Sequence, residues 1–241
     1  MSLADTYYAT ATDMLARARE KNMPVIRAVA PLIGASIAAG GVLHTFGSGH
    51  SELIGREIIG RAGGLMPVTG LIDPGYGFSE NVVGYGTRLA ERYDNHYHFK
   101  AGESIVVISN SGKNASPIEV ALYAKKKGVT VIALTSLGMS TSSKTVHPGG
   151  QNLHAIADHT LDNLGVTGDA ITEVAPGRFA GPTSTLIGAT LLNLLTLEVL
   201  DWLQRHGHPL PLVTSQNVPG GMEANIELSR QYRTRLSKLI G

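Results

Sequence analysis

Two hydroxyl-rich turns, Gly47-Ser48-Gly49-His50-Ser51 and Ser109-Asn110-Ser111-Gly112-Lys113-Asn114, hold the side chains of this chain best suited to chemistry. The second offers hydroxyls, amides, backbone N–H groups and one cation. The residues after it, Ser116-Pro117-Ile118-Glu119, read as a helix start, with Ser as N-cap, Pro at the first helical position and Glu completing a capping box. Donors gathered at the positive end of a helix dipole make an anion site, most naturally for phosphate. A polar turn with a well-made cap has the same composition and no ligand, so the residues alone leave both readings open.

The first turn contains a G-x-G, and Asp73 follows at a distance that suits a ribose contact. A dinucleotide fingerprint also needs a third small residue where helix and strand press together, and Glu52 stands there. A hydroxyl-bearing turn at a helix N-terminus is therefore the better reading, and no cofactor is expected. The helix predicted from Glu52 to Ala62 buries Leu53, Ile54, Ile58, Ile59 and Ala62 and carries two i,i+4 ion pairs, Glu52 with Arg56 and Glu57 with Arg61. The second pair flanks Leu53 and Ile54, which predicts the drier carboxylate at Glu57 and makes it a candidate for the site. Thr69 to Tyr85 is glycine-rich and irregular, the character of a functional lid, with Glu80 and Asn81 as its polar contributors. His96 and His98 have the spacing of ligands on a strand but lack a carboxylate-rich partner, so no metal site is assigned.

These residues need a scaffold, and the rest of the pattern supplies one. The unbroken Ile105-Val106-Val107-Ile108 run is a strand covered on both faces, as in parallel sheets. Val42 to Ser48, Leu65 to Val68, Val129 to Leu134 and Ala157 to Asp162 read as further strands. Gly128 ends the helix that begins near Ser116. Two helices are expected at the N-terminus, Ala4 to Glu20 and Val25 to Ala39, the second started by Pro24 and interrupted or kinked at Pro31. That second helix is apolar on most sides, which suits a contact between subunits or simple core packing. Tyr85 to Tyr93 is a short helix, Asn163 to Gly181 a loop with one edge strand, Thr183 to Arg205 a long core helix, and Glu223 to Ile240 a final amphipathic one. The expectation is a single α/β domain, with N-terminal helices (1–41), an αβα core (42–205) and a C-terminal extension (206–241).

Composition narrows the class. A chain of 241 residues, 43% hydrophobic with 29 glycines, suits a globular α/β protein with many tight turns. A formal net charge of +1 gives no electrostatic case for nucleic acid or an anionic membrane surface. The absence of cysteine excludes disulfides, thiolate metal sites and cysteine nucleophiles. The N-terminus lacks a signal-peptide layout and the apolar runs fall short of a membrane span, so a cytoplasmic protein is expected.

With both turns and their scaffold described, residues 42–205 resemble a SIS (sugar isomerase) domain, the phosphosugar-binding αβα sandwich with a flavodoxin-like parallel sheet. Ile108 to Asn114 is similar to that family's phosphate loop, Gly47 to Ser51 to its sugar-contacting loop, and Pro182-Thr183-Ser184-Thr185 to the start of its last helix. GSGHSELIGREIIGRAGG together with the terminal SQNVPGG resembles an incompletely characterised group of single-domain bacterial members. The resemblance implies phosphate contacts from Ser109, Ser111 and Asn114 with backbone help from Asn110 and Gly112, and sugar contacts from Ser48 and Ser51. It also implies a homodimer or homotetramer whose sites neighbouring chains complete.

Such domains carry aldose–ketose isomerases, lyases that eliminate across C2–C3, and ligand-sensing regulators. Both enzyme classes remove a weakly acidic proton beside a carbonyl, which needs a base and an acid or oxyanion donor. Phosphoheptose isomerases and muramyl-phosphate etherases place a carboxylate ten residues after the first-loop serine, and here that position is Arg61. The candidate catalytic groups are therefore Glu57, His50 and Glu80. The expected activity is elimination or isomerisation of a hexose or amino-sugar 6-phosphate, and the alternative is a phosphosugar sensor acting with a separate partner.

Overall fold

The apolar runs assemble into one sheet, β1 (Leu43–Gly47), β2 (Val68–Leu71), β3 (Ser104–Ile108), β4 (Thr130–Thr135) and β5 (His159–Asp162), in the order β2-β1-β3-β4-β5. Every pairing in it is parallel. The computed structural model describes residues 1–237. This is the expected flavodoxin-like order, and helices cover both faces. The alternation along β3 shows why: Val106 and Ile108 pack with α1 (Leu3–Ala38), α2 (His50–Glu57) and α7 (Ser184–Arg205), whereas Ile105 and Val107 pack with α3 (Tyr85–Tyr97) and α4 (Ala115–Lys126). A strand buried on both faces has no polar side to show, which explains its unbroken apolar run. The remaining elements are α5 (Leu137–Ser142), α6 (Leu153–Ile156), a hairpin of β6 (Ala170–Ala175) and β7 (Arg178–Pro182), and α8 (Gly221–Arg230).

Several boundaries depart from the sequence reading. The two N-terminal helices are one helix of 36 residues, started by a capping box between Ser2 and Asp5, with Pro24 and Pro31 inside it. Each proline removes one backbone donor, but Ile26, Val29, Ala30, Ile33 and Ile37 bury a continuous stripe, and the apolar packing carries the helix through both. The second strand lies three residues later than expected, at Val68–Leu71, because Leu65 instead bridges to Leu212 in the C-terminal extension. Helix α3 runs on to Tyr97, so His96 is helical and His98 is its C-cap, and the strand spacing suggested for a metal pair does not exist. The segment 163–181 forms a separate antiparallel hairpin rather than an edge strand of the main sheet. The last helix stops at Arg230, and Ile240 lies outside the described residues.

The N-terminal helix and the last described residues both reach the sheet. On β5, the Asn22 side chain of α1 accepts from Asp162 N at 2.7 Å and donates to Asp162 O at 2.8 Å. On β2, Ser237 Oγ accepts from Gly70 N at 3.0 Å and Ser237 N donates to Thr69 Oγ1 at 2.9 Å. A buried ionic network anchors the C-terminal segment beside it. Arg235 Nη2 donates to both oxygens of Glu103 at 2.7 and 2.8 Å, and Glu103 also accepts from His44 Nε2 at 2.9 Å, Val42 N at 3.1 Å and Lys100 N at 3.0 Å. Burial alone would raise the Glu103 carboxyl, but the bonds from His44 and Arg235 outweigh it and hold it at about 2. Burial pushes His44 below its ordinary value, so the ring stays neutral, with Nε2–H donating to Glu103 and the Tyr93 hydroxyl 2.8 Å from Nδ1.

Helix α7 is long and apolar enough to cross a membrane by length and composition. Its Ile187, Leu191, Leu192, Leu195, Val199 and Leu203 are buried in the core with α1 and α2, which is the environment that its hydropathy serves.

Candidate active site

The strand order reverses between β1 and β3: the chain leaves β1 for α2 on one face and leaves β3 for α4 on the other. In open parallel sheets this divergence opens a crevice at the carboxyl ends of the two strands, where ligands bind. Both hydroxyl-rich turns sit there, and they line one cleft of about 450 Å³ with Ser48, His50, Ser51, Glu80, Ser109, Asn110, Ser111 and Asn114. This is within the size range of small-molecule sites.

The first turn is tight because Gly47 lets it be: a methyl there would sit 2.6 Å from the Ser51 carbonyl. Ser48 is consequently turned inward, and its Oγ donates to Glu80 Oε2 at 2.6 Å. His50 opens α2 and is exposed to the cleft.

The second turn curls on itself. Ser109 accepts from Gly112 N, at 3.1 Å on its carbonyl and 3.2 Å on its hydroxyl. Gly112 has φ +63 and packs against Ser140 and Thr135, leaving no room for a side chain. Its N–H is thus consumed inside the turn, and the expected backbone donation from Gly112 to a phosphate gives way to a conformational role. Asn110 is held from behind, its Oδ1 accepting from Asn163 Nδ2 at 2.9 Å and its carbonyl from Ser136 N at 2.9 Å. Among the described residues, the amides of Asn110, Ser111, Lys113 and Asn114 donate to no protein acceptor. Hydroxyls of Ser109 and Ser111 beside such amides, at the positive end of α4, are donors of the kind that can receive an anion.

The expected capping box at Ser116 does not form. Asn114 is the N-cap, and the Ser116 hydroxyl is buried without a partner. Glu119 instead reaches a different helix: its Oε1 accepts from Gly84 N at 2.5 Å and its Oε2 from Thr87 N at 3.1 Å, so it caps α3. Ser116 N donates to Glu80 O at 2.8 Å. Gly86 permits this contact, since a side chain there would meet Ser116 O at 2.5 Å. Glu80 is therefore gripped at its carboxylate by the β1 turn and at its carbonyl by the first turn of α4.

The segment that carries Glu80 begins at Asp73, which is fully buried. Asp73 Oδ1 accepts from Gly75 N at 2.8 Å and the Tyr85 hydroxyl at 2.6 Å, and Oδ2 from Gly77 N at 2.9 Å. Burial and the Asp73 carboxylate push the Tyr85 phenol up, which keeps it a donor. Tyr76 and Phe78 from this segment also line the cleft, as do Met139 and, on the far side, Asp169 and Ser184. Asp169 has φ +55 and caps α7, accepting from Ser184 N at 3.0 Å and from the Ser184 hydroxyl. Sequence reasoning noted the Ser/Thr-rich start of α7 and missed Asp169; its Gly168-Asp169 turn was the available signal.

Glu57 is not among the residues that line the cleft. It ends α2, pairs with Arg61 and has a side chain 36% exposed. The drier carboxylate is Glu52, 8% exposed and paired with Arg56, and Leu53 of the expected buried arc is exposed. Helix α2 stops at Glu57 instead of Ala62, so the wheel drawn over the longer span was rotated relative to the packing. Glu80 and Asp169 are the carboxylates that line the cleft, and Glu80 is the one bonded to the first turn.

A SIS-domain family model matches residues 6–136, more than half of the chain. The chain belongs to the SIS-domain family. A UPF0309 protein of Geobacillus sp. (strain WCH70) is 32% identical over 248 residues, covering 99% of each chain. Among solved structures, this SIS chain is similar to a phosphoheptose isomerase from Francisella tularensis (TM-score 0.56, 16% identity, 83% of this chain and 98% of that one). It is also similar to the Vibrio vulnificus NanR protein complexed with ManNAc-6P (TM-score 0.51, 16% identity, 86% of this chain and 64% of that one). At those identities, the structural likenesses establish the shared SIS fold.

Proposed function

We propose that the cleft binds a hexose or amino-sugar 6-phosphate by its phosphate and removes the proton next to the sugar carbonyl. The observation that carries this reading is the 2.6 Å bond from Ser48 to Glu80, which sets a carboxylate over the cleft that Ser109, Ser111 and Asn114 also line. In this reading the phosphate rests on Ser109, Ser111, Asn114 and the neighbouring free amides, and Ser48 and Ser51 contact the sugar. Glu80 takes the C2 proton, and the enediolate charge is met by the donors around it. Return of the proton to C1 gives the aldose–ketose isomer; departure of a C3 substituent, protonated by His50, gives the elimination product. Arg61 stands where isomerases and etherases of the family alike place a carboxylate, so both outcomes remain open to Glu80. The solved phosphosugar-protein relatives support the substrate class.

A second reading, a phosphosugar sensor, is favoured by the likeness to NanR, a protein complexed with ManNAc-6P. Incubation with sugar 6-phosphates in deuterium oxide separates the two. Deuterium at C2 supports the enzyme. A raised melting temperature, which follows from ligand binding, with no exchange at C2 supports the sensor. We further propose that the protein is a homo-oligomer, since Leu186 and Leu197 leave apolar surface exposed on α7; molar mass by light scattering tests it.

A further inference from the structure

We propose that Tyr76 is the platform on which the closed ring of a hexose 6-phosphate lies in the cleft, a role that rests on the phosphosugar reading above. Tyr76 lines the same cleft as both hydroxyl turns, and its backbone has φ +50. Bulky residues rarely adopt that conformation, and where they do the surroundings must hold them in it. Here the surroundings are identifiable. The amides on either side, Gly75 N and Gly77 N, are each bound by the buried Asp73 carboxylate. Gly77 lies against the sugar-side turn so closely that a side chain there would sit 2.9 Å from Gly49 N. The backbone of Tyr76 is thus locked to the turn that carries Ser48 and Ser51.

Tyr76 is 74% exposed and lines the cleft, so its ring is available to a ligand there. A pyranose presents a face of C–H groups and a rim of hydroxyls. The C–H face packs flat on an aromatic ring, whose π-face is electron-rich, while the rim meets Ser48, Ser51 and Glu80. An open-chain sugar has no such face. The closed ring is therefore the form that the cleft takes up first, with His50 beside it at the start of α2.

The test compares wild type, Tyr76→Gly, Tyr76→Asn and Tyr76→Phe against three probes: inorganic phosphate, an open-chain hexitol 6-phosphate and a 1,5-anhydrohexitol 6-phosphate, whose ring cannot open. Gly and Asn both tolerate the positive φ, so the ring is removed without adding strain, and either variant suffices if the other fails to fold. The expected result is a roughly tenfold loss of affinity for the anhydrohexitol phosphate in the Gly and Asn variants, with Phe retaining it. Phosphate and hexitol phosphate bind all four proteins alike. Unchanged ring affinity, or an equal loss for the open chain, overturns the platform alone. A change in molar mass with ring affinity intact also overturns it and assigns Tyr76 to a contact between copies. If phosphate and both sugar phosphates leave the wild-type melting temperature unmoved, the phosphosugar reading fails and the platform with it.

Discussion

Ser48, at the end of one strand, donates to Glu80, which a separate loop carries, and the 2.6 Å bond ties a hydroxyl of the first turn to a carboxylate thirty-two positions away. If Glu80 is the base, Glu80→Gln lowers deuterium incorporation at C2 by about 10²- to 10⁴-fold. Ser48→Ala, which frees the carboxylate to swing, lowers it about tenfold. Glu57→Gln remains within about twofold of wild type, because its ion pair lies away from the cleft. Proton NMR of the substrate in deuterium oxide reads all three, and full exchange by Glu80→Gln would remove it from the mechanism.

Asp73 holds three donors in a fully buried position. Asp73→Asn turns one acceptor oxygen into a donor and leaves an amide proton facing others. A destabilisation of about 1–3 kcal/mol is expected, measured by urea unfolding. Amide hydrogen exchange should accelerate over residues 74–84 and stay unchanged in β3 and β4.

Arg235 neutralises Glu103 where both side chains are less than a tenth exposed. Arg235→Leu strands a buried carboxylate and costs about 3–5 kcal/mol. The double substitution with Glu103→Gln should recover part of that loss. A strictly additive double mutant would contradict the pairing.

The same network sets the acid limit. Glu103 is held at about 2 against an ordinary 4.5, so its contribution is fully present above pH 4.5 and fades as the pH falls toward 2, on the order of 3 kcal/mol in all. His44, held below its ordinary 6.5, acts in the same direction, because below that pH the unfolded chain takes up a proton that the buried ring refuses. Unfolding midpoints recorded between pH 7 and pH 3 should fall steadily, and less steeply in Glu103→Gln.

Much of the fold was legible because parallel strands have to be apolar on both faces: the run Ile105 to Ile108 announces the sheet, and the glycines and hydroxyls after it announce the turn. That Ser109 to Asn114 and Glu80 would stand out as polar groups on turns was legible for the same local reasons, and the structure brings Ser109, Asn110, Ser111, Asn114 and Glu80 to one cleft. What misled was context that no window contains. Pro24 and Pro31 read as breaks because the stripe that carries α1 through them depends on contacts with α7. Glu119 read as a cap for its own helix and serves α3. Glu57 outranks Glu52 in the sequence because the helical apolar pattern runs on to Ala62, five residues past the end of α2. Asp169 reads only as part of a Gly168-Asp169 turn, because the Ser184 that it caps stands fifteen positions on.

The bonds from Asn22 to β5 and from Ser237 to β2 have a consequence for how copies of this chain can meet. A parallel sheet ends in two rows of unspent backbone groups, each an invitation to a strand from another molecule. Here Asn22 of the first helix occupies one row at Asp162, and Ser237 occupies the other at Gly70. An incoming strand would have to displace those bonds before it could pair at either edge.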